Sequence, residues 1–431
     1  MIANGRNSKR AWVIAAAIAT TAVVVGCSSN SKSTSSSSSG TSGSGSSQSS
    51  GSKLTGSPIP VLVEGTWSGV SGAALPQVRD SVLAGIKDIN AHGGINGHPV
   101  NPVVCDDQGN ANRATQCLEQ ALQQHVVAWL WPSATTNLGV MPLMVSAGLV
   151  GIGGTADDQA GQTSPASYPI SGAIPGIFAG MPESLVAAGA KNISFIYPSN
   201  LGSASASLLH FFNEGIATSK AHIAHIVGIP IATTDFGPAV ATALQGADGV
   251  AAYMPVVSQA ILVKTLRASN PNIQIALGSF QLGSSAVKEL GSPAGLHIVG
   301  FGAQPTADVP AAKQFMTDMA KYFPSAPGLD DQSLGAWEST QVFAKIARSM
   351  PDVTAAAITG AMKSLTNFGL GGYAPPLTTT AGSCNVCGGA TRILNPNVAF
   401  LKAEPDGSLV FAASNQFYNA FTGQTYTYSP S

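Results

Sequence analysis

The chain has 431 residues, a formal net charge of −1 and 44% hydrophobic residues, and this length exceeds one ordinary hydrophobic core, so two lobes are expected. Only 10% of the residues are charged, and Lys plus Arg (20) nearly balances Asp plus Glu (21), which leaves no basic stripe, so nucleic acid is not an expected partner. Binding is therefore expected to depend on shape, dipoles and apolar contact.

The first 26 residues have the pattern of a signal peptide. Three basic residues precede the apolar run 11–25, which is too short to span a bilayer comfortably and ends at Gly26-Cys27. Small residues followed by cysteine resemble a bacterial lipobox, in which Cys27 is acylated after cleavage. An ordinary signal peptide with an unrelated cysteine is the alternative. We expect a lipoprotein signal peptide over 1–26 and a lipid anchor on the extracytoplasmic face of the cell membrane.

Residues 27–57 are expected to form the lipidated cysteine and a flexible tether. The part after Cys27 is almost entirely Ser, Gly and Thr, and such a composition cannot bury apolar surface. A coil of about 30 residues reaches roughly 30 Å. The tether would therefore lift a folded domain off the membrane and leave it free to turn.

Four cysteines remain after Cys27, an even number that suits disulfides in an oxidising compartment. Proximity in the sequence pairs Cys105 with Cys117 and Cys384 with Cys387. The second pair could instead be a redox motif or half of a zinc site. Its Thr/Gly-rich setting and the lack of a second ligand pair favour a structural disulfide, so no metal site is predicted.

Strands and helices alternate between residues 58 and about 152, which indicates a parallel sheet with helices on both sides. Apolar residues recur at helical spacing after Leu75-Pro76, and Gly93-Gly94 ends that helix. Further helices are predicted near 112–124 and 136–147. The predicted strands are 59–63, 100–105, 126–131 and 149–152.

The same alternation restarts after residue 190 and predicts a second lobe. The segment 168–175, rich in Pro, Gly and Ser, is the expected first crossover between lobes. The predicted helices are 203–218, 238–245 and 258–268. The predicted strands are 193–197, 226–231, 249–253, 273–277 and 296–301.

The last third of the chain is different. Two strands, 398–403 and 408–413, flank the turn signal Pro405-Asp406-Gly407, which predicts a hairpin. Long helices are predicted over 310–323, 331–350 and 353–365. Helices that follow two complete sheets are expected to pack back onto the first lobe, which makes a hinge of several segments. We expect lobe I at 58–174 plus about 302–395, and lobe II at 175–301 plus about 396–431.

A family resemblance starts at residues 85–97, with the sequence GIKDINAHGGING. This segment resembles the helix-to-turn signature of type I periplasmic binding proteins, above all the branched-chain amino acid (Leu/Ile/Val) binding proteins of ABC importers. The similarity extends from about 58 to 415 and weakens after 325. It implies an α/β fold with two Rossmann-like lobes, an interlobe cleft and a multi-segment hinge. It also implies a small-molecule ligand, an ABC transporter permease as partner, no cofactor and no covalent chemistry.

The resemblance places the ligand between the lobes, at the carboxyl ends of parallel strands, where helix N-termini also point. In the family, hydroxyls and amides that match Ser133, Thr135, Gly154 and Thr155 hold a carboxylate. Ser133, and Thr135 or Thr136, could instead only cap the next helix. The glycines near Gly154 suggest a dinucleotide site, but they lack the required spacing. Trp67 is expected in the pocket wall, with ordinary packing as the alternative.

The second lobe departs from the amino-acid-binding pattern of the family. Phe280 stands where members that bind an α-ammonium group place an acid, and Leu201 and Met254 follow two other strands of this lobe. A buried ammonium without a counter-charge is costly. We hypothesise that the ligand is an apolar or aromatic carboxylate or an amide, although an amino-acid-like ligand remains open.

The sequence gives little support for catalysis or for metal binding. Asp106 and Asp107 could suggest either, but their place at a strand end beside Cys105 favours hydrogen bonding within the loop. Motifs such as a Ser-His-Asp order or HExxH do not stand out, so we do not predict an enzyme. A ligand-sensing receptor of the same fold and, less favoured, an exported enzyme are the alternatives to transport.

Overall fold

A computed structural model describes residues 54–69, 74–132, 137–280 and 282–429. The predicted signal peptide, Cys27 and most of the tether lie outside the described residues, as do Ser133 and Thr135. Within the described part, no helix combines the length and the apolar character needed to cross a membrane.

The first sheet contains five parallel strands within the described residues. They are β1 (Ile59–Gly65), β2 (Val100–Asp106), β3 (Trp129–Leu130), β4 (Gly151–Ile152) and β5 (Ser167–Tyr168). The helices between them are α1 (Pro76–Ala91), α2 (Ala111–Gln123), α3 (Asn137–Ser146) and α4 (Gln159–Thr163). β1 is almost wholly buried because helices cover both faces of the sheet. The strand order is β2-β1-β3-β4-β5.

The second sheet repeats this plan. Its parallel strands are β6 (Asn192–Pro198), β7 (His222–Ile229), β8 (Gly249–Ala252), β9 (Gln274–Gly278) and β10 (Leu296–Gly300). Its helices are α5 (Ala173–Ala187), α6 (Ser203–Ser219), α7 (Gly237–Ala243), α8 (Val256–Ser269) and α9 (Ser284–Glu289). The strand order β7-β6-β8-β9-β10 matches the order of the first sheet. The predicted α/β fold with two lobes is therefore confirmed.

The remaining elements divide between the lobes. The helices α10 (Pro310–Tyr322) and α11 (Asp331–Ala347) pack against α1 of the first lobe, and α12 (Ala355–Met362) packs against α11. The strands β11 (Asn397–Ala403), β12 (Leu409–Phe411), β13 (Gln416–Asn419) and β14 (Thr425–Thr427) continue the second sheet. β11 pairs antiparallel with β10 and with β12, so the predicted hairpin is present.

Three connections join the lobes within the described residues, and together they form a neck. They lead from β5 to α5, from β10 to α10, and from α12 to β11. Asn395 ties two of them together, because its side-chain amide donates to the carbonyls of Ile170 (3.0 Å) and Pro375 (2.8 Å). The Gly172 amide also donates to the Asn397 carbonyl at 2.8 Å.

Two differences from the sequence expectations concern short or unusual elements. The predicted strand over 126–131 is reduced to Trp129–Leu130, since neighbouring residues pair only through single bonds. Helix α5 was not predicted, because two prolines and two glycines lower its helix propensity. Packing of α5 against β9, β10 and α6 overrides that propensity. Both predicted disulfides, Cys105–Cys117 and Cys384–Cys387, are present.

Candidate ligand-binding cleft

The carboxyl ends of the parallel strands place the candidate site. In both sheets the strand order reverses beside the first strand, between β1 and β3 and between β6 and β8. Ligands of open α/β sheets bind outside the carboxyl ends at such switch points. Trp67 follows β1, Leu201 follows β6 and Met254 follows β8, so these three predicted residues flank the two switch points.

The loop after β4 carries the first lobe's remaining described candidates, Gly154 and Thr155. Both are buried, and the Thr155 amide donates to the Pro132 carbonyl at 3.3 Å. Gly154 has a φ of +92°, and a Cβ atom there would overlap the Pro132 carbonyl oxygen. Only glycine therefore lets the loops after β3 and β4 pack this closely.

Three residues other than glycine, Asn or Gln have a left-handed backbone beside these loops. Trp131 (φ +55°) follows β3, Ala156 (φ +51°) follows β4, and Ala173 (φ +52°) begins α5 next to the neck. All three are buried. Such conformations cost of order 1–3 kcal/mol each and cluster at functional sites. This backbone strain points to the same edge of the first lobe as the sheet topology does.

Trp67 is held by the loop after β2. Oδ1 of Asp106 accepts hydrogen bonds from the backbone amides of Trp67 (2.9 Å) and Gln108 (3.0 Å), and Thr66 Oγ1 donates to Asp107 Oδ1 at 2.6 Å. Burial raises the pKa of Asp106, but hydrogen bonds from Ser68, Trp67 and Gln108 outweigh it and leave that pKa lowered. The two aspartates therefore act in loop hydrogen bonding, as predicted.

Trp67 itself is buried, and its Nε1 has no hydrogen-bond partner in the described part of the chain. A buried indole N–H without an acceptor is costly, and a bound ligand could supply one. Its place in the pocket wall stays a prediction.

In the second lobe, the candidates lie in loops that differ in burial. Leu201 is half-buried, and its amide donates to Ser205 Oγ at 2.9 Å. Met254 is buried, and its amide donates to Gln259 Oε1 at 3.2 Å. Phe280 is half-buried after β9, with its ring next to those of Phe178, Tyr253 and Phe301. The strand ends of this lobe are thus apolar or uncharged.

Asp157, in the loop after β4 of the first lobe, lies within electrostatic range of Tyr253 in the second lobe. Burial is the main cause that raises the pKa of Asp157 to about 7. A hydrogen bond with the Thr155 side chain opposes this rise, and the charge of Asp158 adds to it. Burial also raises the pKa of Tyr253 to about 12, and the charge of Asp157 contributes to that rise. Because Asp157 follows β4 and Tyr253 follows β8, these two strand-end loops lie within electrostatic range of each other.

A buried acidic pair, Asp330 and Asp331, lies where α11 meets the neck. Asp330 Oδ1 accepts from the Ser333 amide (2.8 Å) and hydroxyl (2.7 Å) and so caps α11. Asp331 Oδ2 accepts from Ser279 Oγ (2.8 Å) and from the Phe301 amide (2.7 Å). Burial raises the pKa of both carboxyls, and the charge of Asp330 raises that of Asp331 further.

A second surface groove and a metal site are the two other kinds of site that could bind a ligand or an ion. A groove of about 750 Å³ lies at the opposite, amino-terminal edge of the first sheet, next to Ile59, Val127 and Leu149. It contains none of the strand-end residues. The described residues also hold no group of three or more His, Cys, Asp or Glu side chains that could bind a metal ion.

Comparison with known proteins decides the family. A family model described as periplasmic binding protein matches residues 58–387, which is more than half of the chain. The chain belongs to the periplasmic binding protein family. Proteins of this family act outside the cytoplasm and bind solutes. A search of curated proteins finds no match to this periplasmic binding protein.

Solved structures of solute-binding proteins share the fold of this periplasmic binding protein. An ABC transporter solute-binding protein from R. palustris, in complex with 4-hydroxybenzoate, is 17% identical with a TM-score of 0.68, covering 86% of this chain and 98% of its own. A fatty acid ABC transporter substrate-binding protein from Thermomonospora curvata is 17% identical with a TM-score of 0.68, covering 84% and 93%. A branched-chain amino acid transporter substrate-binding protein from Streptococcus pneumoniae, in complex with isoleucine, is 16% identical with a TM-score of 0.65, covering 81% and 97%.

Sequence reasoning missed three residues around the cleft of this periplasmic binding protein. Phe178 lies in the helix that was not predicted, and Asp331 reaches the cleft wall from a helix some 50 residues later in the chain. Asp157 could have been found, because it lies two residues after the predicted Thr155 in the same strand-end loop.

Proposed function

We propose that this periplasmic binding protein is a lipid-anchored, extracytoplasmic solute-binding protein that captures a small molecule for an ABC importer. The family match over residues 58–387 carries the proposal. It is supported by the switch point of each sheet, where α/β sheets bind ligands, and by Asp157 of the first lobe, which lies within electrostatic range of Tyr253 of the second. Closure of the lobes on the ligand would complete the site, and the closed form would then dock to the permease.

The proposed ligand is a small carboxylate or amide with an apolar or aromatic body, and an amino-acid-like compound is the alternative. Gly154 and Thr155 would hold the polar end, together with Ser133 and Thr135. The contacts to the body would come from Trp67, Leu201, Met254 and Phe280. The similar proteins named above, one with 4-hydroxybenzoate and one of a fatty acid transporter, support a carboxylate of this kind.

The polar end of the ligand is tested by one side chain of the first lobe. Thr155→Val keeps the shape of a buried residue and removes its hydroxyl. Native mass spectrometry of the purified protein, followed by thermal shift with acids, amides and amino acids, would identify the ligand. A ligand at 100 times its Kd adds about 2.7 kcal/mol of stability.

We expect Thr155→Val to weaken binding of that ligand, while Thr265→Val, at a half-buried position of α8 whose hydroxyl donates to the Ile261 carbonyl, has no effect on binding. Small-angle X-ray scattering should show a smaller radius of gyration with the ligand than without it. A protein that carries no adduct, responds to no compound and keeps one scattering profile would contradict solute binding.

Membrane attachment is proposed through an acylated Cys27 and the Ser/Gly-rich tether that follows it. Two or more acyl chains anchor a protein stably, whereas one chain does not. Expression of the full chain in a bacterial host, followed by detergent phase partition, tests this. The wild-type protein should enter the detergent phase, and Cys27→Ser should move it to the aqueous phase. Equal partition of both proteins would contradict the anchor.

A further inference from the structure

Four aromatic rings form a continuous wall at the carboxyl ends of β8, β9 and β10. Phe280 stacks on Phe178 with 5.9 Å between ring centroids and an interplanar angle of 23°. Tyr253 and Phe301 meet Phe280 edge to face, each at 5.4 Å. We call these residues the four-ring wall. Ring pairs at these distances and angles attract each other beyond the area that they bury.

Two rings of the four-ring wall remain accessible. Phe178 and Phe301 are fully buried, whereas Phe280 and Tyr253 are half-buried. A Cβ atom at Gly278 would overlap the Phe280 ring, so glycine at this position lets the ring fold back over the strand end. Tyr253 lies next to Asp157 of the first lobe. Phe280 and Tyr253 are therefore the two rings of the wall that a ligand could contact.

The strand ends around the four-ring wall provide no charged side chain that could pair with a charged group. The three residues that follow each of β6, β8, β9 and β10 include no Asp, Glu, Lys or Arg. A charged group buried there without a partner would lose more in desolvation than the contact returns. A flat, uncharged ring would instead add ring–ring contacts to Phe280 and Tyr253.

One carboxylate of the other lobe holds this wall in place. Asp331 Oδ2 accepts from Ser279 Oγ at 2.8 Å and from the Phe301 amide at 2.7 Å. Ser279 precedes Phe280, and Phe301 is itself a member of the wall. Since Asp331 and Ser279 are completely buried, water does not compete for these bonds. Helix α11 packs with the first lobe, so the orientation of the wall depends on a residue across the neck.

We propose that Asp331 is a positioning residue that holds the four-ring wall in the orientation that binds the flat ring of an aryl carboxylate. The inference rests on the proposed solute-binding function and narrows its ligand to one class. The carboxylate of the ligand binds the first lobe, and its ring packs on Phe280 and Tyr253.

Matched pairs of acids test the ligand class by calorimetry on the mature protein. Benzoate is compared with cyclohexanecarboxylate, and phenylacetate with cyclohexylacetate, because each pair shares its carboxylate and carbon number and differs in flatness. Wild-type protein should prefer the aryl acids by about 10-fold or more, which is about 1.4 kcal/mol. Phe280→Leu should reduce this preference to less than about 3-fold, while Phe400→Leu, whose ring stacks on Tyr418 in β13 away from the strand ends, should keep it.

Variants of Asp331 test positioning separately from folding. Asp331→Ala should lose the aryl preference, and Asp331→Asn should restore it, because the amide oxygen can still accept both hydrogen bonds. Ser279→Ala removes one donor and gives the same readout if Asp331→Ala does not fold. An unchanged preference in Phe280→Leu or in Ser279→Ala would overturn the inference.

The two proposals fail in different ways. Lobe closure with leucine or straight-chain acids and no aryl preference would overturn this inference and leave solute binding standing. No binding of any acid, amide or amino acid, without closure, would overturn both.

Discussion

Replacement of Asp331 should change stability by an amount that the structure allows us to estimate. Asp331→Ala leaves the Ser279 hydroxyl and the Phe301 amide, both fully buried, without their acceptor. Each unsatisfied buried donor costs about 1–3 kcal/mol, so the variant, with two such donors, should lose roughly 2–6 kcal/mol of unfolding free energy. Asp331→Asn keeps an oxygen that can accept both bonds and should lose much less.

The same pair of variants predicts a pH dependence with a definite sign. Burial and the charge of Asp330 raise the pKa of Asp331 in the folded protein. A raised folded pKa means that the protonated carboxyl contributes stability below the ordinary Asp pKa of about 3.9, and that this contribution is lost as pH rises through the raised value. The loss amounts to about 1.4 kcal/mol for each unit of raised pKa. Asn does not titrate, so the unfolding free energy of Asp331→Asn should rise relative to that of wild type between pH 5 and pH 8.

Urea unfolding, followed by tryptophan fluorescence at pH 5, 6.5 and 8, measures both effects. Asp308→Asn is the matched control, because Asp308 is exposed and paired with Lys313, which lowers its pKa. That variant should follow the wild-type pH profile closely. A loss of less than about 1 kcal/mol of unfolding free energy in Asp331→Ala would refute the role of these hydrogen bonds. A constant difference in unfolding free energy between Asp331→Asn and wild type across this pH range would refute the titration of Asp331.

Three further predictions concern the neck, a disulfide and the cleft. Asn395→Ala should lower the unfolding free energy in urea by about 2–6 kcal/mol, because two buried carbonyls lose their donor, and an equal midpoint would contradict this. Replacing Cys105 and Cys117 by serine should cost about 3 kcal/mol by chain entropy, measured by calorimetry, and an unchanged melting temperature would count against it. Burial raises the pKa of Asp157 to about 7, so this carboxyl becomes charged as pH rises through 7 and would then repel a ligand carboxylate held at Thr155. Carboxylate affinity should therefore fall from pH 6 to 8, and Asp157→Asn should flatten this profile in titration calorimetry; parallel profiles would refute the role of Asp157.

Much of the fold could be predicted because parallel strands leave a strong local signal. β1 lies between helix layers and reads as a continuous apolar run, and Pro76 and the glycines after residue 92 mark the ends of α1. Helix α5 was not predicted, because its prolines and glycines have low helix propensity. Its helical conformation depends on tertiary packing, which the local sequence does not indicate. The nearest-neighbour pairing of the cysteines was correct because each pair lies within one local substructure.

The candidate site was predictable where it follows strands and not where it depends on the meeting of distant segments. Trp67, Thr155 and Phe280 come directly after strands, and topology alone brings such residues to one edge. Asp331 begins a helix, and nothing local indicates that its carboxylate will reach Ser279, 52 residues earlier. The sequence also indicated an uncharged second-lobe wall but not its arrangement, because Phe178 and Phe301 join the wall from separate elements.

A crystal structure of the mature protein with a bound aryl carboxylate, chosen as the tightest ligand of the calorimetric panel, tests the central claim most directly. We predict closed lobes, the carboxylate against Gly154 and Thr155, and the ring on Phe280 and Tyr253. Density for the acid outside the cleft, or a carboxylate that points to the second lobe, would contradict it.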